Sequence, residues 1–318
     1  MSRKRSAIAI GVALLVIMAA CGESQPINTA ARTNITPSAT TPSPAGDNLG
    51  DIRTRPADGM TMVYVPAGTF KMGSTDVEIK DAISLCREHY PVCNQWYYDR
   101  EAPQHAVSVD GYWIDQTEIT NAHFLQCVQE GACAEPATCT KGDPTFSIPE
   151  LSDHPVVCVD WSQARVYCEW AGARLPTEAE WEYAFRGAAG SIFPWGDSFM
   201  GTKLNYCDQN CEQRHADTRY DDGYTRTAPV AGFPAGISWC GAFGMSGNVS
   251  EWVADWFGAY GPEAASNPAG PPSGDVKMVK GCSWFFPPAY CRGSARASVR
   301  PEIRFDYLGF RCAVPSKE

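Results

Sequence analysis

Apolar and polar positions alternate along residues 61–73, TMVYVPAGTFKMG, and the run closes on Gly73, which predicts a strand followed by a turn. A second alternation, from Ala106 to Asp115, predicts a further strand pair. The period then changes. From Asp160 or Ser162 through Trp170, the residues Trp161, Ala164, Val166, Tyr167 and Cys168 supply one apolar face, which predicts a helix. The strongest local signal is Thr177-Glu-Ala-Glu180 directly after Pro176. The Thr177 hydroxyl can accept from the amide three residues on while Glu180 reaches back to the cap amide, a capping box that starts a helix running to about Arg186. Beyond Gly187 helical periodicity disappears, and Gly, Pro, Asp, Asn and Trp punctuate the chain to its end. That pattern predicts a loop-rich domain pinned by disulfides, aromatic packing and ions, and it fits a Rossmann fold or a barrel poorly.

The N-terminal segment reads as an address. Arg3, Lys4 and Arg5 precede an uncharged apolar run, Ala7 to Ala20, that is too short for a membrane span of about 20 residues. Residues 1–20 are therefore expected to be a signal peptide. Met18-Ala19-Ala20-Cys21 resembles a bacterial lipoprotein signal box, which implies a lipidated Cys21 and attachment to the membrane through that lipid; ordinary cleavage near Ala20 is the alternative. Gly22 is not the Asp that resembles an inner-membrane retention signal in some bacteria, so the expected address is the outer membrane or cell surface. Residues 21–57 hold no aromatic residue and are rich in Ser, Thr, Pro and Ala, a composition expected of a flexible tether. The chemistry then belongs to residues 58–318.

Composition narrows the functions. The chain has 318 residues, 44% hydrophobic and 19% charged, enough to bury a core in one or two domains. A net charge of −10 argues against binding nucleic acid by charge attraction. Of 14 cysteines, 13 remain once Cys21 is assigned to lipid. In an exported chain these predict disulfides, and the odd count leaves one thiol that is either buried or reactive. Cys207-x3-Cys211 resembles half a zinc site, but no second pair at matching spacing completes it.

Seven motifs, in order, carry a family resemblance: MVYVPAGTFKMGS (62–74), EAPQHAVSVDGYWIDQTEITN (101–121), HPVVCVDW (154–161), WAGARLPTEAEWEYA (170–184), FPWGD (193–197), GNVSEWVADW (247–256) and GFRC (309–312). Together they resemble the sulfatase-modifying factor, or formylglycine-generating enzyme, family. The resemblance implies one mixed α/β (α+β), loop-rich domain similar to C-type lectin-like folds. It also implies oxidation of a sulfatase cysteine by molecular oxygen at two copper(I)-binding cysteines, since thiolates suit that soft ion.

The copper pair is incomplete in this chain. Anchored on Gly281, Ser283 and Tyr290, the second family cysteine falls on Cys291 and the first on Phe286, which cannot ligate a metal. Cys282 lies four positions too early and would serve as the second thiol only if the loop refolded; otherwise it forms a disulfide with Cys291 or stays single. Ser250 replaces the usual aromatic residue inside GN-x-x-EW, and Pro287 replaces a polar neighbour of the missing cysteine. Cys291, Ser283 and Tyr290 are the residues to which the resemblance assigns catalysis.

Other family features carry over by position. One calcium set falls on Asn205, Tyr206, Asp222 and Tyr224, and a second on Gly244, Gly247, Val249 and Glu251, oxygen donors that suit a structural calcium ion. A family disulfide falls on Cys168 and Cys312. Two functions remain open: a diverged, non-catalytic module that binds a peptide, glycan or protein at the cell surface, and an active copper- and oxygen-dependent oxidoreductase.

Overall fold

The computed structural model describes residues 48–136 and 138–316. The expected signal peptide, Cys21 and the tether as far as residue 47 lie outside the described residues. In chain order the elements are β1 (Ile52–Thr54), β2 (Thr61–Val65), β3 (Gly68–Met72), α1 (Asp76–Arg87), α2 (Trp96–Asp99), β4 (His105–Val109), β5 (Tyr112–Asp115), α3 (Asn121–Gln129), α4 (Trp161–Trp170), α5 (Glu178–Arg186), β6 (Ser250–Trp256), β7 (Ala265–Ser266), β8 (Lys277–Lys280), β9 (Ala297–Val299), β10 (Leu308–Phe310) and β11 (Ala313–Pro315). Helix and strand account for 21% and 20%, the mixed, loop-rich class expected. Among the described residues no helix is long and apolar enough to cross a membrane.

The strands form three small sheets, ordered β1-β2-β5-β11, β10-β6-β8-β9 and β3-β4-β7. The two alternating segments become β2–β3 and β4–β5, paired as Val63 with Ile114 and Phe70 with Val107. Helix α5 has the expected capping box on Thr177 and Glu180, and α4 is capped by Asp160. Three features differ from the sequence reading. Folded chain begins before residue 58: β1 pairs with β2, and the buried Arg55 guanidinium contacts Asp58 at 2.6 Å and Asp115 at 2.7 Å. Helices α1 and α3 were not expected, although α1 also has a capping box, on Thr75 and Glu78. The region after Gly187 is loop-rich yet contains the β10-β6-β8-β9 sheet.

Helix α5 organises the core. Trp181, Tyr183, Ala184 and Phe185 pack with Val63, Phe70, Ile114 and Met278, and the acids of the same helix are buried as well. A buried carboxylate is tolerated only with a partner. Accordingly Glu182 meets Lys280 at 2.9 Å and Arg186 at 3.1 Å, while Glu178 meets Arg296 at 2.7 Å.

Among the described residues six disulfides staple the loops: Cys86–Cys93, Cys127–Cys133, Cys139–Cys158, Cys168–Cys312, Cys207–Cys211 and Cys282–Cys291. The pair Cys168–Cys312 is the one implied by the resemblance. Among the described residues Cys240 is the free cysteine. It is buried, and burial pushes its thiol pKa up, the opposite of what a reactive thiol needs.

Candidate functional site

Strand β8 ends at Lys280, and Gly281 turns the chain in the left-handed region, φ 76°, into the loop that carries the expected site. Cys282 and Cys291 are joined and have no solvent exposure; they pack in a cluster with Phe193, Leu204 and Tyr206. Ser283 is equally buried, its Oγ accepting from the Phe285 amide at 3.3 Å. Phe286 and Tyr290 are half-buried, with ring centroids 5.4 Å apart, and Phe286 also faces Tyr307 at 5.4 Å. Burial raises the Tyr290 pKa. The residues named for catalysis are thus divided. Tyr290 reaches the surface, whereas Ser283 and Cys291 do not. Two sulfurs joined to each other offer no thiolate, so the residues present do not fit a copper(I) centre in this form.

What the loop builds instead is a cavity of about 240 Å³. Phe286 and Tyr290 line it together with Ser250, Gly281, Ala295 and Arg296, and with Tyr90, Tyr97 and Arg100. Ser250 is buried and donates from Oγ to the Gly281 carbonyl at 3.4 Å. Two departures from the family pattern, Ser250 and Phe286, therefore meet in one cavity. Tyr90, Tyr97 and Arg100 come from the α1–α2 region, where Cys86–Cys93 pins the chain. Sequence reasoning did not find Arg100, Tyr90 or Tyr97, because they lie outside the motifs that carry the resemblance.

At the first calcium set, Asn205 and Tyr206 are buried, and Asn205 Oδ1 has no hydrogen-bond partner. The Asp222 carboxylate accepts from the Tyr206 amide at 3.1 Å and the Tyr224 amide at 2.8 Å, and the Asp208 carboxylate accepts from the Asp222 amide. Burial, with Asp208 and Asp221 nearby, pushes the Asp222 pKa up to about 7. An orphaned buried carboxamide oxygen, one residue from the amide that the Asp222 carboxylate accepts from, fits a hard cation. The second set does not fit as expected. Both Glu251 oxygens already accept from Arg311 at 2.7–3.0 Å, and Oε2 also accepts from Trp181 Nε1 at 2.8 Å. The unpartnered oxygen here is Glu118 Oε2, and Glu118 is a residue that the resemblance did not name. Gly244, Gly247 and Val249 do lie in the same loop, immediately before β6.

Cys207 and Cys211 come together with His215, three groups with metal-ligand chemistry. The two sulfurs are spent on their own bridge, and His215 Nε2 lies 3.0 Å from the Phe285 carbonyl.

Residues 48–315 match the sulfatase-modifying factor enzyme 1-like domain. A formylglycine-generating enzyme of Streptomyces coelicolor is 32% identical over 86% of this chain and 95% of its own. The inactive Cα-formylglycine-generating enzyme 2 of Mus musculus is 30% identical over 81% of this chain and 86% of its own. Among solved structures, PvdO from Pseudomonas aeruginosa is similar with a TM-score of 0.65 and 26% identity, covering 84% of this chain and 99% of its own.

Proposed function

Given that this chain belongs to the sulfatase-modifying factor enzyme family, we propose that it is a lipid-anchored cell-envelope protein whose family domain binds a ligand and does not oxidise a protein thiol. The observation that carries this reading is the site loop itself. Phe286 stands where the family has its first copper cysteine, and Cys291 is bridged to Cys282. A relative named inactive shares the family domain at an identity close to that of a relative named as the generating enzyme, so divergence away from catalysis is compatible with the family. Calcium at Asn205, Tyr206, Asp222 and Tyr224 is part of the proposal, as a structural ion holding the loop whose Cys207 amide donates to the Phe286 carbonyl at 3.1 Å. Attachment through Cys21, and an outer-membrane or surface address, rest on the lipoprotein-like signal box.

The test is a copper(I) titration of the purified chain, followed by incubation with copper, oxygen and a cysteine-containing sulfatase peptide. The proposal expects no stoichiometric copper and no aldehyde product. Stoichiometric copper with aldehyde formation would instead support the alternative, an active copper- and oxygen-dependent oxidoreductase working through a reduced Cys282 and Cys291.

A further inference from the structure

Arg100 is the cation of the cavity whose charge nothing answers. Among the described residues its guanidinium has no carboxylate ion pair, its titratable neighbours being Arg296 and Tyr97, and its Nε is buried without a hydrogen-bond partner. Aromatic faces hold it in place: Trp96 at 4.1 Å, Phe257 at 4.9 Å and Tyr97 at 5.9 Å. Burial and the neighbouring Arg296 guanidinium both push the Arg100 pKa down, as expected where a positive charge lacks a counter-ion. Arg296 is different. It is bound by Glu178 through Nε at 2.7 Å and Nη2 at 2.9 Å, and it donates to the Arg100 and Gly258 carbonyls. The cavity therefore presents one unmatched positive charge at a wall made of Tyr90, Tyr97, Phe286 and Tyr290.

Rests of charge and shape both specify the occupant. A guanidinium is a planar fork that matches a carboxylate with two parallel hydrogen bonds. A single unmatched charge suits a monoanion better than a phosphate dianion. An apolar cavity of about 150 Å³ accepts benzene, so about 240 Å³ has room for an aromatic ring and its carboxylate. Trp96 and Tyr97, exposed at 56% and 46%, extend the aromatic surface beside Arg100. We infer that this cavity is a binding site for a small monocarboxylate with an aromatic or apolar body, its carboxylate on Arg100 and its body against Phe286 and Tyr290. The assignment deepens the binding reading and rests on it. The sources of such a group are a free aromatic acid or the C-terminal carboxylate of a peptide ending in an aromatic residue.

The test is calorimetric titration of the intact chain with phenylpropionate, with its neutral amide, and with a short peptide ending in Phe as the free acid or the C-terminal amide. Phenylpropionate is expected to bind at least about tenfold more tightly than its amide, the range for a hydrogen bond to a charged group. Arg100→Gln should remove that preference, and Arg100→Lys should retain part of it, since Lys keeps the charge without the fork. The main-chain carbonyl of Arg100 that accepts from Arg296 persists in both variants, and an unchanged melting temperature confirms the fold. Acid-over-amide preference for phenylpropionate alone assigns a free acid; the same preference with tighter binding of the peptide assigns a chain terminus. Equal binding of acid and amide, no binding at millimolar acid, or an undiminished preference in Arg100→Gln would overturn the inference. The two claims fail separately: copper-dependent oxidation would remove the binding reading whatever the titration shows, and a failed titration without copper binding would remove only the carboxylate.

Discussion

Arg311 offers the sharpest perturbation of the scaffold beneath the site. Its guanidinium has no exposure, donates to both oxygens of Glu251 at 2.7–3.0 Å, and donates to the Phe243 carbonyl at 2.8 Å and the Asp115 carbonyl at 3.2 Å. Glu118, also fully buried, has its pKa pushed up by burial and by Glu251 while Arg311 opposes the shift. In Arg311→Met two buried carboxylates lose their cation. Breaking a buried pair from one side costs about 3–5 kcal/mol. Each of the two carbonyls left without a donor adds about 1 kcal/mol, so the expected loss is about 5–7 kcal/mol, a large part of a typical domain's 5–15 kcal/mol. Urea denaturation with the disulfides intact reads it as a fall in midpoint at unchanged slope. Arg311→Met combined with Glu251→Gln should recover about 2 kcal/mol, because one uncompensated charge is gone. A single-variant loss below about 1 kcal/mol would show that the pair is not the buried charge anchor described here.

Further outcomes follow from the same structure. Burial, with Glu178 beside it, pushes the Asp255 pKa up to about 7, so the stability tied to its protonated form is present at low pH and lost as pH rises through 7. Asp255→Asn should therefore stabilise by about 3–4 kcal/mol near pH 8 and by little near pH 3, below the unfolded carboxylate's own titration, read by thermal melts at the two values; equal gains at both would refute the assignment. Calcium should raise the melting temperature, by about 2.7 kcal/mol of stability at a hundredfold excess over Kd, and Asp222→Asn or Asn205→Ala should abolish the shift while Glu251→Gln leaves it in place. Replacing Cys168 and Cys312 together by Ala should cost about 4–5 kcal/mol in the chain-entropy estimate for a separation of 144 residues, measured by urea midpoint.

How much was legible in the sequence depends on the range of the signal. The α5 capping box and the two alternating segments are local, and they formed as expected. Thr75 and Glu78 carry the same kind of local signal, yet α1 went unread; its amphipathic face, Ile79, Ala82, Ile83 and Cys86, packs on the Ala289–Tyr290 turn, a partner more than 200 residues away. The β10-β6-β8-β9 sheet was hidden because Gly and Pro break the chain between its strands and its pairing is set at long range, Leu308 beside Ser250 and Glu251 beside Lys280. At the site, the resemblance located Phe286, Ser250 and Cys291 one by one. That Phe286 and Ser250 share a cavity with Arg100 is a property of the fold, since Arg100 arrives from α2 and its cap. Glu251 was expected to hold an ion and instead meets Arg311, a residue inside the GFRC motif whose role could not be read without the contact.

The measurement that tests the central claim most directly is a thiol map of the purified, unreduced chain, alkylated first in the native state and then in denaturant, with modified residues located by mass spectrometry. Setting Cys21 aside, the account predicts no native labelling and, on denaturation, labelling of Cys240 alone. A Cys282–Cys291 disulfide peptide should accompany it. Labelling of Cys282 and Cys291 in the native protein would show a free thiol pair in the site loop and would contradict the account.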